Sequence, residues 1–160
     1  MSNKILYVAD IIENTIVDGI GVRTSLYLSG CDIRCDGCHN KALWDINYGQ
    51  AMKIEEVYKK IALSFTNITF IGGEPMMQAK NLAILAEKIK ATTDKDIWIY
   101  SGHTYEEILN NKVYFNLLKY CDVLVDGRYD EKYFKNNLKF RGSTNQRIID
   151  IKKSIKKNEV

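Results

Sequence analysis

Three of the four cysteines of this chain fall within eight residues, at Cys31, Cys35 and Cys38. Residues 29–40, which contain them, read as a loop wrapped around a centre, and the rest of the fold has to present that loop. A structural zinc site asks for four ligands, usually in two pairs. Cys121 is the one other thiol, and it opens the apolar run Cys121-Asp122-Val123-Leu124-Val125, where a small buried residue is expected. Soft thiolates also hold iron–sulfur clusters, normally through four cysteines. Three on a four-iron cluster leave one iron open to a substrate. From the residues alone, a zinc loop and a reactive thiol pair at Cys35 and Cys38 stay as alternatives.

Size narrows the frame that can carry such a loop. The 160 residues suit one domain, residues 1–160 as a unit, and fall short of the about 250 of a complete eight-unit β/α barrel. An apolar fraction of 46% beside 27% charged residues belongs to a folded soluble protein. The net charge of +3 implies no general affinity for nucleic acid, and the tail Lys152-Lys153-Ser154-Ile155-Lys156-Lys157 reads as a solvated helix end. No apolar run approaches the roughly 18–20 residues that cross a bilayer. The start, Met1-Ser2-Asn3-Lys4, has no secretory signal. Clustered cysteines then read as ligands rather than disulfides, and the expected setting is the cytoplasm, with no membrane partner.

Along the chain, residues 7–12 read as a short edge strand and residues 24–28 as the strand that delivers the cysteine loop. Between them, Gly19 and Gly21 fit a tight turn or backbone room near a cofactor. Residues 52–65 read as a helix whose Ile54, Val57, Tyr58, Ile61, Ala62 and Phe65 make a core-facing stripe. A buried strand at 67–71 ends in Gly72-Gly73-Glu74-Pro75, at the carboxyl edge where β/α folds bind ligands. A helix over 78–91, a strand over 96–100 closed by Ser101-Gly102-His103, and a capping box from Thr104 to Glu107 follow. His103 reads as a polar loop residue. A helix over 113–120, a strand over 122–126 ending at Asp126, and a strand-like 148–151 complete the chain. Ser101 and Asp126, at strand ends, are candidate cofactor contacts, with a helix or turn cap as the alternative for Asp126. The polar run 141–146 is too rich in hydrogen-bonding groups to be filler. The alternation predicts an α/β fold, a partial open (β/α) barrel with a largely parallel sheet.

Cys-x₃-Cys-x₂-Cys, with Gly30-Cys31 before it and Cys38-His39-Asn40 after it, resembles the signature loop of radical S-adenosylmethionine enzymes in their glycyl-radical-activating branch. The likeness runs nearly end to end, through Gly19-Ile20-Gly21-Val22-Arg23-Thr24, Lys41-x-x-Trp44, Gly72-Gly73-Glu74-Pro75, Trp98-Ile99-Tyr100-Ser101-Gly102, Val123-Leu124-Val125-Asp126-Gly127 and Arg141-Gly142-Ser143-Thr144-Asn145-Gln146. The whole is similar to the activating-protein family of anaerobic (class III) ribonucleoside-triphosphate reductases. The alternative is an activase of another glycyl-radical enzyme such as pyruvate formate-lyase, although larger activases of that kind often carry extra cysteines.

The resemblance implies that Cys31, Cys35 and Cys38 hold a [4Fe-4S] cluster whose open iron takes the amino and carboxylate groups of S-adenosylmethionine. It further implies that Gly37, Cys38, His39, Gly72, Gly73 and Glu74 contact that cofactor, beside the strand-end candidates Ser101 and Asp126. Reductive cleavage would give a 5′-deoxyadenosyl radical that takes a hydrogen atom from a glycine of the reductase. A low-potential donor such as flavodoxin or ferredoxin would supply the electron, and the assembly would be a homodimer within a heterotetramer. Hydrogen-atom abstraction needs no general base, so no catalytic acid–base pair is assigned.

Overall fold

The computed structural model describes residues 4–158; the first three residues, weighed above for an export signal, lie outside them. Seven strands form one open mixed sheet in the order β3-β1-β2-β4-β5-β6-β7. Its centre is parallel: β2 (Arg23–Leu28), β4 (Asn67–Gly72), β5 (Ile97–Tyr100) and β6 (Val123–Asp126) run the same way. Antiparallel strands flank it, β1 (Ile5–Thr15) and β3 (Gln50–Lys53) on one side and β7 (Arg147–Asp150) on the other. The helices are α1 (Ile54–Ala62), α2 (Ala79–Thr92), α3 (Tyr105–Leu109), α4 (Lys112–Leu118) and α5 (Ile151–Asn158).

Register sorts the sheet into two faces, because paired residues in neighbouring strands point the same way. Leu26 pairs with Phe70, Phe70 with Ile99 and Ile99 with Leu124. This fully buried row packs with Leu82, Leu85 and Ile89 of α2 and with Leu117 and Leu118 of the α4 segment. The adjacent row, Ser25, Thr69, Trp98 and Val123, faces the other side. There Arg23, fully buried, donates to Thr69 Oγ1 at 2.7 Å and Ile68 O at 2.7 Å and lies 5.5 Å from the Trp98 ring centroid. Asp18 accepts from Ser25 Oγ and Tyr27 Oη. One more step along the strands, that face carries Ile71, Tyr100 and Val125 at the carboxyl edge, under the cysteine loop.

The structure bears out the α/β fold, its parallel centre and the Thr104–Glu107 capping box, and it corrects three local expectations. β1 is eleven residues long and is not the edge, because β3 pairs outside it. β3 is short and mostly exposed, so it carries no apolar alternation to announce it. Met52 therefore belongs to a strand, and α1 starts at Ile54 and ends at Ala62. Phe65, expected in the core stripe, lies in the turn after α1 and is fully exposed. The expected solvated tail is found: Lys152, Lys153 and Lys156 on α5 are exposed.

Candidate active site

The cysteine loop leaves the carboxyl end of β2 and is sewn to its surroundings by backbone. Gly30 N donates to Leu43 O at 2.7 Å and Cys31 N to Trp44 O at 3.1 Å. The buried Ser29 hydroxyl donates to Ile46 O at 2.6 Å. The end of β4 closes against the same loop, with Gly73 N donating to Leu28 O at 2.8 Å and Glu74 N to Gly30 O at 2.7 Å. A Cβ at Gly73 would overlap the Gly30 carbonyl, and one at Gly72, whose φ is +121°, would overlap the Leu28 backbone. The sequence predicts that these glycines leave room near a ligand; both line the cavity that the loop cysteines also line, and the space of their missing side chains is taken by the end of β2 at Gly72 and by the Gly30 carbonyl at Gly73.

Gly73→Ala is accordingly expected to push the loop off β4, lowering stability by about 1–3 kcal/mol, the range for overpacking, and lowering iron uptake with it. Denaturant unfolding and iron content read both. A variant with an unchanged midpoint and full iron loading would show that the loop does not sit on Gly73.

Cys31, Cys35 and Cys38 are half-buried and line one cavity of about 220 Å³. Glu74, Ser101, His39, Gly72 and Gly73 line it too. Burial pushes the Cys31 and Cys35 thiols up, so thiolates here call for a cationic centre. Three soft donors on one half-buried loop fit an iron–sulfur cluster in kind. No three His, Cys, Asp or Glu side chains among the described residues converge on a single metal ion. Cys121 is buried away from the loop, its Sγ 3.6 Å from Leu117 O, and burial pushes its thiol far up.

Glu74 is 1% exposed. Its carboxylate accepts from Gly102 N at 2.7 Å, Met76 N at 2.9 Å and Ser101 Oγ at 2.9 Å. Burial pushes its carboxyl up, opposed by the Gly102 and Met76 N–H groups, by His103 and by the Ser101 hydroxyl. It forms no ion pair among the described residues. The buried carboxylate is thus held in place by hydrogen bonds from two backbone N–H groups and a hydroxyl.

Two expected contacts sit elsewhere. Gly37, at φ +74°, faces Glu131, whose carboxylate occupies the space of a side chain there, and the cavity wall runs through Cys38 and His39 instead. Asp126 turns its carboxylate away: it accepts from Tyr105 N at 2.7 Å and pairs with Arg147, while its neighbours Val125 and Gly127 line the cavity. A strand alternates its side chains, so the residue between two lining positions points to the other face. The Ser101 hydroxyl is spent on Glu74 and on His103 N. His103 contacts Glu107 through Nδ1 at 3.2 Å and is not part of the wall. Tyr129, Gly142 and Gln146, to which the sequence assigns no ligand, also line it; Gly142 and Gln146 belong to the polar run 141–146 singled out by its composition, whereas the signal for Tyr129 is its position after the end of β6.

A family model described as a 4Fe-4S single cluster domain matches residues 17–149. A protein of Pasteurella multocida (strain Pm70) named anaerobic ribonucleoside-triphosphate reductase-activating protein is 34% identical over 143 residues, covering 83% of this chain and 90% of its own. Proteins of the same name from Enterobacteria phage T4 and Escherichia coli (strain K12) are 33% and 32% identical, covering 82% and 86% of this chain and 86% and 94% of theirs. Among solved structures, QueE from Escherichia coli superposes with a TM-score of 0.52 at 16% identity, over 62% of this chain and 53% of that one, a likeness of fold.

Proposed function

The chain belongs to the family of anaerobic ribonucleoside-triphosphate reductase-activating proteins, and from that premise we propose that it raises a glycyl radical on such a reductase by reductive cleavage of S-adenosylmethionine beside a [4Fe-4S] cluster. The observation that carries the reading is the meeting of Cys31, Cys35, Cys38 and the buried Glu74 in one cavity at the carboxyl edge of the parallel strands. Cys31, Cys35 and Cys38 would hold the cluster. When bound, the cluster would supply the one electron that breaks the cofactor's C–S bond and releases methionine, the chemistry that hydrogen-atom abstraction from a reductase glycine requires.

The chain's own part is binding, orientation and exclusion of water. Glu74 offers its remaining acceptor capacity to the cofactor's ammonium, a charge-assisted contact that completes a buried anion. Ser101 and Gly102 hold that carboxylate in place. His39 and Cys38 form the adjoining wall. No helix among the described residues is long and apolar enough to cross a membrane; a single-domain cytoplasmic protein, drawing electrons from a flavodoxin or ferredoxin and working as a homodimer within a heterotetramer, completes the reading.

The test is anaerobic reconstitution with iron and sulfide, reduction, and addition of S-adenosylmethionine with and without an anaerobic reductase. Methionine, 5′-deoxyadenosine and a glycyl doublet in the reductase's electron paramagnetic resonance spectrum are expected. A protein that holds only zinc, or that never cleaves the cofactor under dithionite, overturns the proposal.

A further inference from the structure

The polar run 141–146 has no part in the reaction as described, yet the side chains of Arg141, Ser143, Asn145 and Gln146 are all engaged. Gln146 Oε1 accepts from Gly142 N at 2.8 Å and Ser143 N at 3.2 Å, and Gln146 Nε2 donates to Gly127 O at 3.0 Å. Asn145 Nδ2 donates to Arg128 O at 2.8 Å, and the buried Ser143 hydroxyl accepts from Asp130 N at 3.2 Å. Arg141 ties the run to itself through Gln146 O at 2.6 Å. The run thus grips backbone at residues 127, 128 and 130, on both sides of Tyr129.

The Tyr129 ring is fixed as well. A Cβ at Gly142 would lie 2.9 Å from its Cδ2, so the glycine lets the ring lie against the run. Its other neighbour is His39, edge to face at 5.5 Å between centroids. Both residues line the cavity that Glu74 also lines. The cavity therefore offers a carboxylate for a cationic group and an aromatic wall for a flat one.

We propose that Gln146 is a positioning residue that acts through Tyr129, and that the Tyr129–His39 wall receives the nucleoside half of the cofactor. The inference rests on the S-adenosylmethionine reading above. S-adenosylmethionine divides into an amino-acid half and a nucleoside half, so methionine and 5′-deoxyadenosine probe the two ends of the cavity separately.

The experiment measures equilibrium binding of each compound to the anaerobically reconstituted full chain, with iron per chain as the structural control. Gln146→Ala and Tyr129→Ala are expected to weaken 5′-deoxyadenosine about tenfold, the size of one aromatic packing contact, and to leave methionine and iron content unchanged. Tyr129→Phe, which keeps the ring, is expected to restore wild-type affinity. Should Gln146→Ala fail to fold, the Tyr129→Ala and Tyr129→Phe pair decides alone. Unchanged nucleoside binding in the Ala variants, equal losses for both halves, or a wild-type chain that binds no nucleoside overturns the proposal. A wild-type chain that binds both halves but never cleaves the cofactor refutes the chemistry and spares the wall; cleavage with undisturbed variant binding refutes the wall alone.

Discussion

Replacing any one of Cys31, Cys35 or Cys38 with alanine is expected to strip the cluster and bring S-adenosylmethionine cleavage to background, while Cys121→Ala keeps both. The three loop thiols open on one cavity, and a cluster held at three corners has no spare ligand to lose. Cys121 cannot substitute, because it is 1% exposed and packed against the α4 segment, where its thiol stays protonated. Its loss leaves only a small cavity, a cost of about 1 kcal/mol in stability. Iron and sulfide analysis, the cluster's visible absorption and product assay measure the set. An intact cluster in any loop variant, or a lost one in Cys121→Ala, would reassign the ligands.

Glu74→Gln is the second large effect. The substitution keeps shape and removes charge, so the cofactor's ammonium loses a charge-assisted partner in a buried site, worth roughly 1.5–3 kcal/mol. That corresponds to about ten- to a hundredfold weaker S-adenosylmethionine binding. The new amide also sets an N–H donor against one of the donors at Met76, Ser101 and Gly102, at a stability cost of about 1–3 kcal/mol for the donor left unpaired. Cluster content should persist, since Glu74 touches the cysteine loop through its backbone N–H to Gly30 O. Calorimetric titration of the reconstituted variant reads the affinity, and wild-type affinity would remove Glu74 from the cofactor's contacts.

The site was legible where chemistry and chain position coincide. Cysteine spacing and the Gly-Gly-Glu-Pro turn each lie on a short continuous stretch at a strand's carboxyl end, and the structure brings both to one cavity. Asp126 has the same address but the opposite face, and a one-residue phase in a strand is decided by pairing with its neighbours. Phe65 fits the helical stripe by spacing, yet α1 stops before reaching it. Tyr129 could not be found locally, because what makes it a wall is the grip of residues 141–146, more than ten positions away.

Residue order alone determined the spacing of the three loop cysteines, the β/α alternation and the family, since these depend on spacings within a turn or a strand. Tertiary structure decided which strand-end side chains face the cavity, that Gly72 and Gly73 make room for the end of β2 and the start of the cysteine loop, and what the polar run holds. Those outcomes depend on register and on contacts between segments far apart in the chain, and neither periodicity nor local propensity contains that information.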